Sequence, residues 1–298
     1  MSLESKYKLY KRLIKNKQDK HGFIESQECD SLLFTGLVGC NPEVYIDIKA
    51  AQASDGSWQR RPIDLPACCP LDHWSLWERL KACFAAKTTD TKVLQKIFEQ
   101  GGSTISRDML MGLAWYCYFN KRLDISEGVI KYALSHKLIM GIGTPTRTLL
   151  TPGLLATYAE ISYRLGGPNR WLLRYIPQSE SKVVVDFQAH LSVLHILLRN
   201  KLTGKDKYTS LLAMHAERQP ENALFQFAAG NKDKTLELLS NEQWWPNDRL
   251  PTAQDRSTQW LFQRDYGSDW LPENNDKQHS GADFIFCYWL VNSYHEEF

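Results

Sequence analysis

Very little in this 298-residue sequence asks for a β-sheet. The one β-branched run of note is KVVVDF at 182–187, and it is short. Strands therefore do not organise the fold. Long apolar runs are missing as well. The longest, such as FIFCYWLV at 284–291, fall far short of the roughly 20 residues that span a bilayer, so no membrane partner is expected. Charge of one sign is also missing. Thirty-six basic residues face 34 acidic ones for a net +2, and the only basic stretch is KYKLYKRLIKNKQDK at 6–20. Nucleic acid is thus not an expected partner. The opening MSLESKYKLYKRL has neither the apolar centre nor the small-residue cleavage site of a signal peptide, and it reads as a charged amphipathic helix. Seven cysteines are an odd number, and Cys29, Cys83, Cys117 and Cys287 sit in apolar helical stretches. They suit reduced, buried thiols, and a cytoplasmic location is expected. No diagnostic catalytic motif occurs, no acidic DDxxD-like run, and no repeat of constant length.

What is abundant is aromatic and helical. Ten Trp, thirteen Tyr and twelve Phe make up 12% of the chain. Trp58, Trp74, Trp244, Trp245, Trp260 and Trp270 lie in loop-like stretches, where a core role explains them less well. Hydrophobic periodicity predicts a first helix near 3–18, then segments near 24–39, 42–52, 73–87, 90–100, 106–119, 124–137, 151–165, 186–202, 206–218, 221–229, 232–240 and 282–294. Capping chemistry agrees. Gly101-Gly102 and Gly166-Gly167-Pro168 close helices, while Ser106, Asp124, Thr151-Pro152 and Pro220-Glu221 open them. The longer connections are 53–72, 138–150, 166–185 and 240–281, the last about forty residues without clear periodicity. No composition shift divides the chain, so a single all-α domain over 1–298 is expected, with an N-terminal helix within 1–20.

Twelve helices joined by short links pair into six hairpins, which can close into a double ring. On SRDMLMGLAWYCY (106–118), DGSWQRRP (55–62) and RQPENALFQFAAGN (218–231), the chain resembles the (α/α)6 toroids of the six-hairpin glycosidase-like superfamily. The resemblance covers most of the chain as architecture. It implies hydrolysis or elimination of glycosidic bonds by carboxylates and aromatics at one mouth of the barrel, although some members have no known activity.

Alternating helices put the odd-numbered starts on one face. That face would gather Glu25, Asp55, Trp58, Arg60, Arg61, Asp64, Asp72, His73, Arg107, Asp108 and Arg147. Glycoside hydrolysis needs two carboxyl groups, one protonated and one ionised. Asp108 follows the N-cap residue Ser106, and the positive helix end and Arg107 both favour its ionised form, which suits a base or nucleophile. Glu25, behind Gly22-Phe23-Ile24, suits a partly desolvated general acid. Ordinary helix capping is the competing account of Asp108. Trp58 and Trp74 are candidate sugar platforms or, alternatively, loop anchors. Arg61, Arg107, Arg147 and His73 complete the expected substrate-binding set, the arginines suiting the carboxylates of acidic sugars.

No cofactor and no metal are expected. Cys68-Cys69-Pro70-Leu71-Asp72-His73 lacks structural-zinc spacing, and His190 and His195 lie on different faces of one helix, as core or packing residues. The aromatic, Arg-rich stretch 241–272 is a candidate protein interface, or else a flap carrying Asp255 or Asp265. The expectation is a carbohydrate-active enzyme on an oligosaccharide, acidic ones included. The alternative is a non-catalytic scaffold or binding protein in a larger assembly.

Overall fold

The computed structural model describes residues 1–24, 31–65, 105–142, 147–174, 189–252, 255 and 281–294. These residues are mostly helical. The expected helices at 73–87 and 90–100 and the run 182–187 lie outside them. The sequence reads as one domain; the chain gathers into two compact units, Met1–Gln18 with Ser179–Phe298, and Asp19–Gln178.

The Asp19–Gln178 unit is organised by α2 (Ser31–Val38), α3 (Arg107–Phe119), α4 (Leu123–Ser135) and α5 (Pro152–Arg164). Every residue of α2 is buried, and so is nearly all of α3. They can both be so apolar because they pack on each other at glycine. A Cβ on Gly36 would stand 2.3 Å from the Gly112 carbonyl oxygen, and one on Gly112 would stand 2.6 Å from the Leu33 oxygen. Further along, the Asn120 side-chain amide donates to the Gly39 carbonyl at 2.7 Å. The helices thus run in the same sense, with both starts at one end.

Around them the direction alternates. Ser126 Oγ donates to the Tyr158 carbonyl, while Leu123 at the start of α4 lies against Gly167 just past the end of α5, so α4 and α5 are antiparallel. Thr148 Oγ1 donates to the Ile105 carbonyl at 2.6 Å, and the Tyr158 hydroxyl donates to the Leu110 carbonyl at 2.7 Å. These two bonds place the start of α5 beside the start of α3. The caps follow the expected chemistry: the side chains of Ser106 and Thr151 accept from the backbone N–H groups of Met109 and Leu154.

Two expectations change in this unit. The predicted helix at 42–52 is a series of turns ending in a short 3-10 helix, Ile48–Ala51. Pro42 lacks an N–H donor, the Asn41 side chain takes the Glu43 N–H at 3.0 Å, and Asp47 N–H donates to the His21 carbonyl at 2.9 Å. The local side-chain bond and the pairing with 21–23 replace the helical ladder. The predicted loop 138–150 holds an antiparallel hairpin, β1 (Ile139–Ile142) and β2 (Arg147–Leu149), with an irregularity between Ile139 and Gly141. Strands of four and three residues are too short to show alternation in a sequence.

The other unit joins α1 (Leu3–Lys15) to α6 (Ala189–Thr203), α7 (Thr209–Arg218), α8 (Ala223–Ala228), α9 (Lys232–Ser240) and α10 (Ala282–Ser293). Lys6, Tyr10 and Ile14 are the buried stripe of α1. Tyr7 stacks on Tyr288 of α10 at 4.2 Å, and Tyr10 lies 4.4 Å from Phe284. The Tyr10 hydroxyl donates to the Pro246 carbonyl, and Lys6 Nζ donates to the Ser240 carbonyl at the end of α9. Residues 220–221 do not open α8. Asn222 does, its side chain accepting from Phe225 N–H, because the residue that caps must offer an oxygen to the first turn. The Tyr294 hydroxyl donates to the Leu197 carbonyl, tying the end of α10 to α6. The described thiols Cys40, Cys117 and Cys287 are buried and unbridged, with ionisation pushed up by desolvation. No helix among the described residues is long and apolar enough to cross a membrane.

The glycine crossing gives a direct test. Gly36→Ala and Gly112→Ala each force a methyl into backbone atoms, so each should cost at least about 1–3 kcal/mol, measured by denaturant unfolding. A loss within about 0.5 kcal/mol, the usual range for a surface substitution, would contradict the close crossing.

Candidate functional site

The end of the Asp19–Gln178 unit where α2, α3 and α5 begin holds most of the described candidates. Arg107 is exposed and Asp108 is half-buried in the first turn of α3, directly behind the Ser106 cap. Arg147 lies in β2, beside Thr148, whose bond to Ile105 brings that strand to the start of α3. The segment 52–61 reaches the same end. Leu32 N–H at the start of α2 donates to the Arg60 carbonyl at 3.0 Å, and Arg60 and Arg61 are half-buried. Glu25, His73 and Trp74 lie outside the described residues.

Trp58 occupies a different place from an open sugar platform. It pairs with Gln52 across an isolated bridge, and its ring is 0% exposed. Gln59 N–H donates to the Ala51 carbonyl at 2.8 Å, and the Ala53 N–H donates to the Ser57 carbonyl. The segment is thus a tight hairpin around Asp55 and Gly56. Asp55 accepts from Ser57 N–H and Ser57 Oγ, a turn role for that carboxylate.

This hairpin also carries what the sequence reading missed. Gln59 is 2% exposed, and among the described residues neither its amide nitrogen nor its amide oxygen finds a hydrogen-bond partner; the Trp58 indole nitrogen, equally buried, finds none among them either. Each unmade bond of this kind costs on the order of 1–3 kcal/mol, and native interiors rarely keep them without a reason. The signal in the sequence was a glutamine in a Trp-containing turn, which by itself does not report burial.

Two further carboxylates have charged partners. Asp124 receives two bonds from Arg122 at 2.9 Å and one from Lys49 at 2.6 Å. Its carboxyl is held well below the ordinary range, first by the Arg122 hydrogen bonds. Asp255 makes a bidentate pair with Arg249 and accepts from Thr252 N–H and Oγ1. That pairing lowers its ionisation to about 2 and fixes a corner of the 241–272 stretch. Trp245 from the same stretch is buried against Tyr10 and Phe284, while Trp260, Asp265 and Trp270 lie outside the described residues. His190 is buried in α6 and His195 is half-buried. Among the described residues no group of three or more His, Cys, Asp and Glu is placed to hold a metal ion.

No protein-family model, no curated protein and no solved structure matches this chain.

The orphaned amide sets an expectation for stability. Gln59→Met keeps the length of the side chain and removes both unsatisfied groups. It should leave the fold intact and raise stability by about 1–2 kcal/mol in thermal or denaturant unfolding. Destabilisation of that size would mean that the amide is satisfied inside the chain.

Proposed function

We propose that this chain is a carbohydrate-active enzyme of the six-hairpin (α/α)6 kind. It hydrolyses or eliminates a glycosidic bond of an oligosaccharide, acidic ones included, at the end where α2, α3 and α5 begin. The observation that carries this reading is the half-buried Asp108 in the first turn of α3, directly behind the Ser106 cap and beside the exposed Arg107.

Three features support the same location. The starts of α2 and α3 point their partial positive charge to one end. Arg107 stands exposed there, and Arg60, Arg61 and Arg147 belong to segments that reach it. Cations and helix starts together favour a carboxylated sugar. Asp108, in the first turn of α3, is the proposed ionised partner of a carboxyl pair. Glu25, seven residues ahead of Leu32 in sequence, is the proposed general acid. The separation of the two carboxyls would decide between retention, at about 5 Å, and inversion, at roughly 6.5–9.5 Å.

A scaffold without chemistry is the second reading. The observation in its favour is Trp58, whose ring is interior and offers no face to a sugar. In that reading Asp108 only complements the helix start, and 241–272 is the surface for a protein partner.

The two readings separate on a panel of neutral, uronic-acid and sialic-acid oligosaccharides. An enzyme binds and cleaves an acidic member, and Asp108→Asn abolishes turnover with an unfolding midpoint close to wild type. Absence of binding across the panel, or full activity in Asp108→Asn, would reject the enzymatic proposal.

A further inference from the structure

The far end of α5 carries a group of side chains that the candidate site does not use. Helix α5 is 13 residues long, about 20 Å at 1.5 Å per residue. Its last turn is therefore well removed from the end where α2, α3 and α5 begin. The chain folds back there at once. Gly167 N–H donates to the Ser162 carbonyl at 2.7 Å, and a Cβ on Gly167 would stand 2.3 Å from Ser162 Oγ. The Asn169 side-chain amide donates to the same hydroxyl oxygen at 3.1 Å, and Leu172 is buried. These contacts seat the short 3-10 helix Asn169–Arg174 on α5.

What the seat turns to solvent is aromatic and basic. Tyr163, Arg164, Arg170, Trp171 and Arg174 are all exposed. Trp171 is 51% exposed, whereas tryptophan is highly buried on average. The Arg170 guanidinium lies 4.8 Å from the Tyr163 ring centre, within cation–π range. Residues three apart eclipse on a 3-10 helix, so Trp171 and Arg174 share one side. Arg164 pairs with the buried Glu160 at 3.1 Å. Among the described residues neither Arg170 nor Arg174 has a carboxylate partner.

We infer that this surface docks an acidic protein segment carrying an apolar side chain beside its carboxylates. Guanidinium groups take carboxylates bidentately, and three of them stand here against one carboxylate, Glu160. The exposed Trp171 ring offers an apolar side chain a flat, rigid partner, and Trp, Tyr and Arg are the residues that dominate interface energetics. Because the turn is already seated on α5, little ordering cost falls on binding. Charge argues against a second copy of this chain, since a two-fold contact would set these arginines against each other. It argues against nucleic acid as well. Affinity for nucleic acid grows with the number of phosphates neutralised, and three arginines on one short turn neutralise few.

Fluorescence anisotropy with two labelled peptides tests the surface. One is a short peptide rich in Asp and Glu around a central Phe, and the other replaces its acids with Asn and Gln. Wild type should bind the acidic peptide and not the neutral one, more weakly as salt rises. Trp171→Ala and Arg174→Glu should each weaken binding about tenfold or more, with unfolding midpoints close to wild type because both side chains are exposed. If Trp171→Ala loosens the short helix, Arg174→Glu still reads the surface. No binding of the acidic peptide, equal binding of the two peptides, or wild-type affinity in Arg174→Glu would overturn the inference. Tighter binding of a labelled oligothymidine that Arg174→Glu abolishes would overturn it in favour of nucleic acid. A wild-type dimer in sedimentation velocity that Trp171→Ala dissociates would overturn it in favour of self-association.

Discussion

The contact between Gly36 and Gly112 sets the geometry of everything near the candidate site. Two helices can bring backbones together only where neither carries a side chain, and here the carbonyl of one fills the space a methyl would occupy on the other. The close approach forces α2 and α3 to bury nearly all their residues against each other and their surroundings. Both helices also start at one end, because the Asn120 bond to Gly39 fixes the opposite end. Without that approach, Arg60 and Arg107 would not belong to one surface region. The interaction is dispersion and exclusion, with no ion pair needed to hold it.

The helical segments were legible where the pattern was long and capped. Ser106, Thr151 and Pro152 mark real starts because a hydroxyl oxygen or a donor-free nitrogen has a local job to do in the first turn. The sequence was less legible at 42–52, where apolar residues at helical spacing are claimed by pairing with a distant segment through Gly22 and His21. The hairpin at 139–149 was missed for a similar reason. Its short strands are held by Thr148 reaching Ile105, a bond that no local pattern announces. Parallel alignment of α2 and α3 follows from two glycines whose significance appears only once the helices meet.

The candidate site divides in the same way. Asp108 and Arg107 were legible from the Ser106 cap because helix electrostatics is local. Burial is not local. Trp58, a sugar platform or a loop anchor on paper, is interior, and Gln59 finds no hydrogen-bond partner for its amide among the described residues. Asp124, expected to open a helix, and Asp255, expected on a flap, are engaged by arginine in bidentate pairs.

The packing of α1 on α10 fixes an order of events during synthesis. Tyr7 and Tyr10 find their aromatic partners only on a helix beginning at Ala282, and Lys6 finds its acceptor only at Ser240. All of the Asp19–Gln178 unit leaves the ribosome in between. That unit is contiguous and can condense as it emerges. Helix α1 precedes α10 by more than 260 residues in sequence, so its aromatic partners there are missing until residues 282–293 have been made. Its high density of lysine and arginine then has a use apart from any partner: it keeps an unattached helix dissolved while it waits.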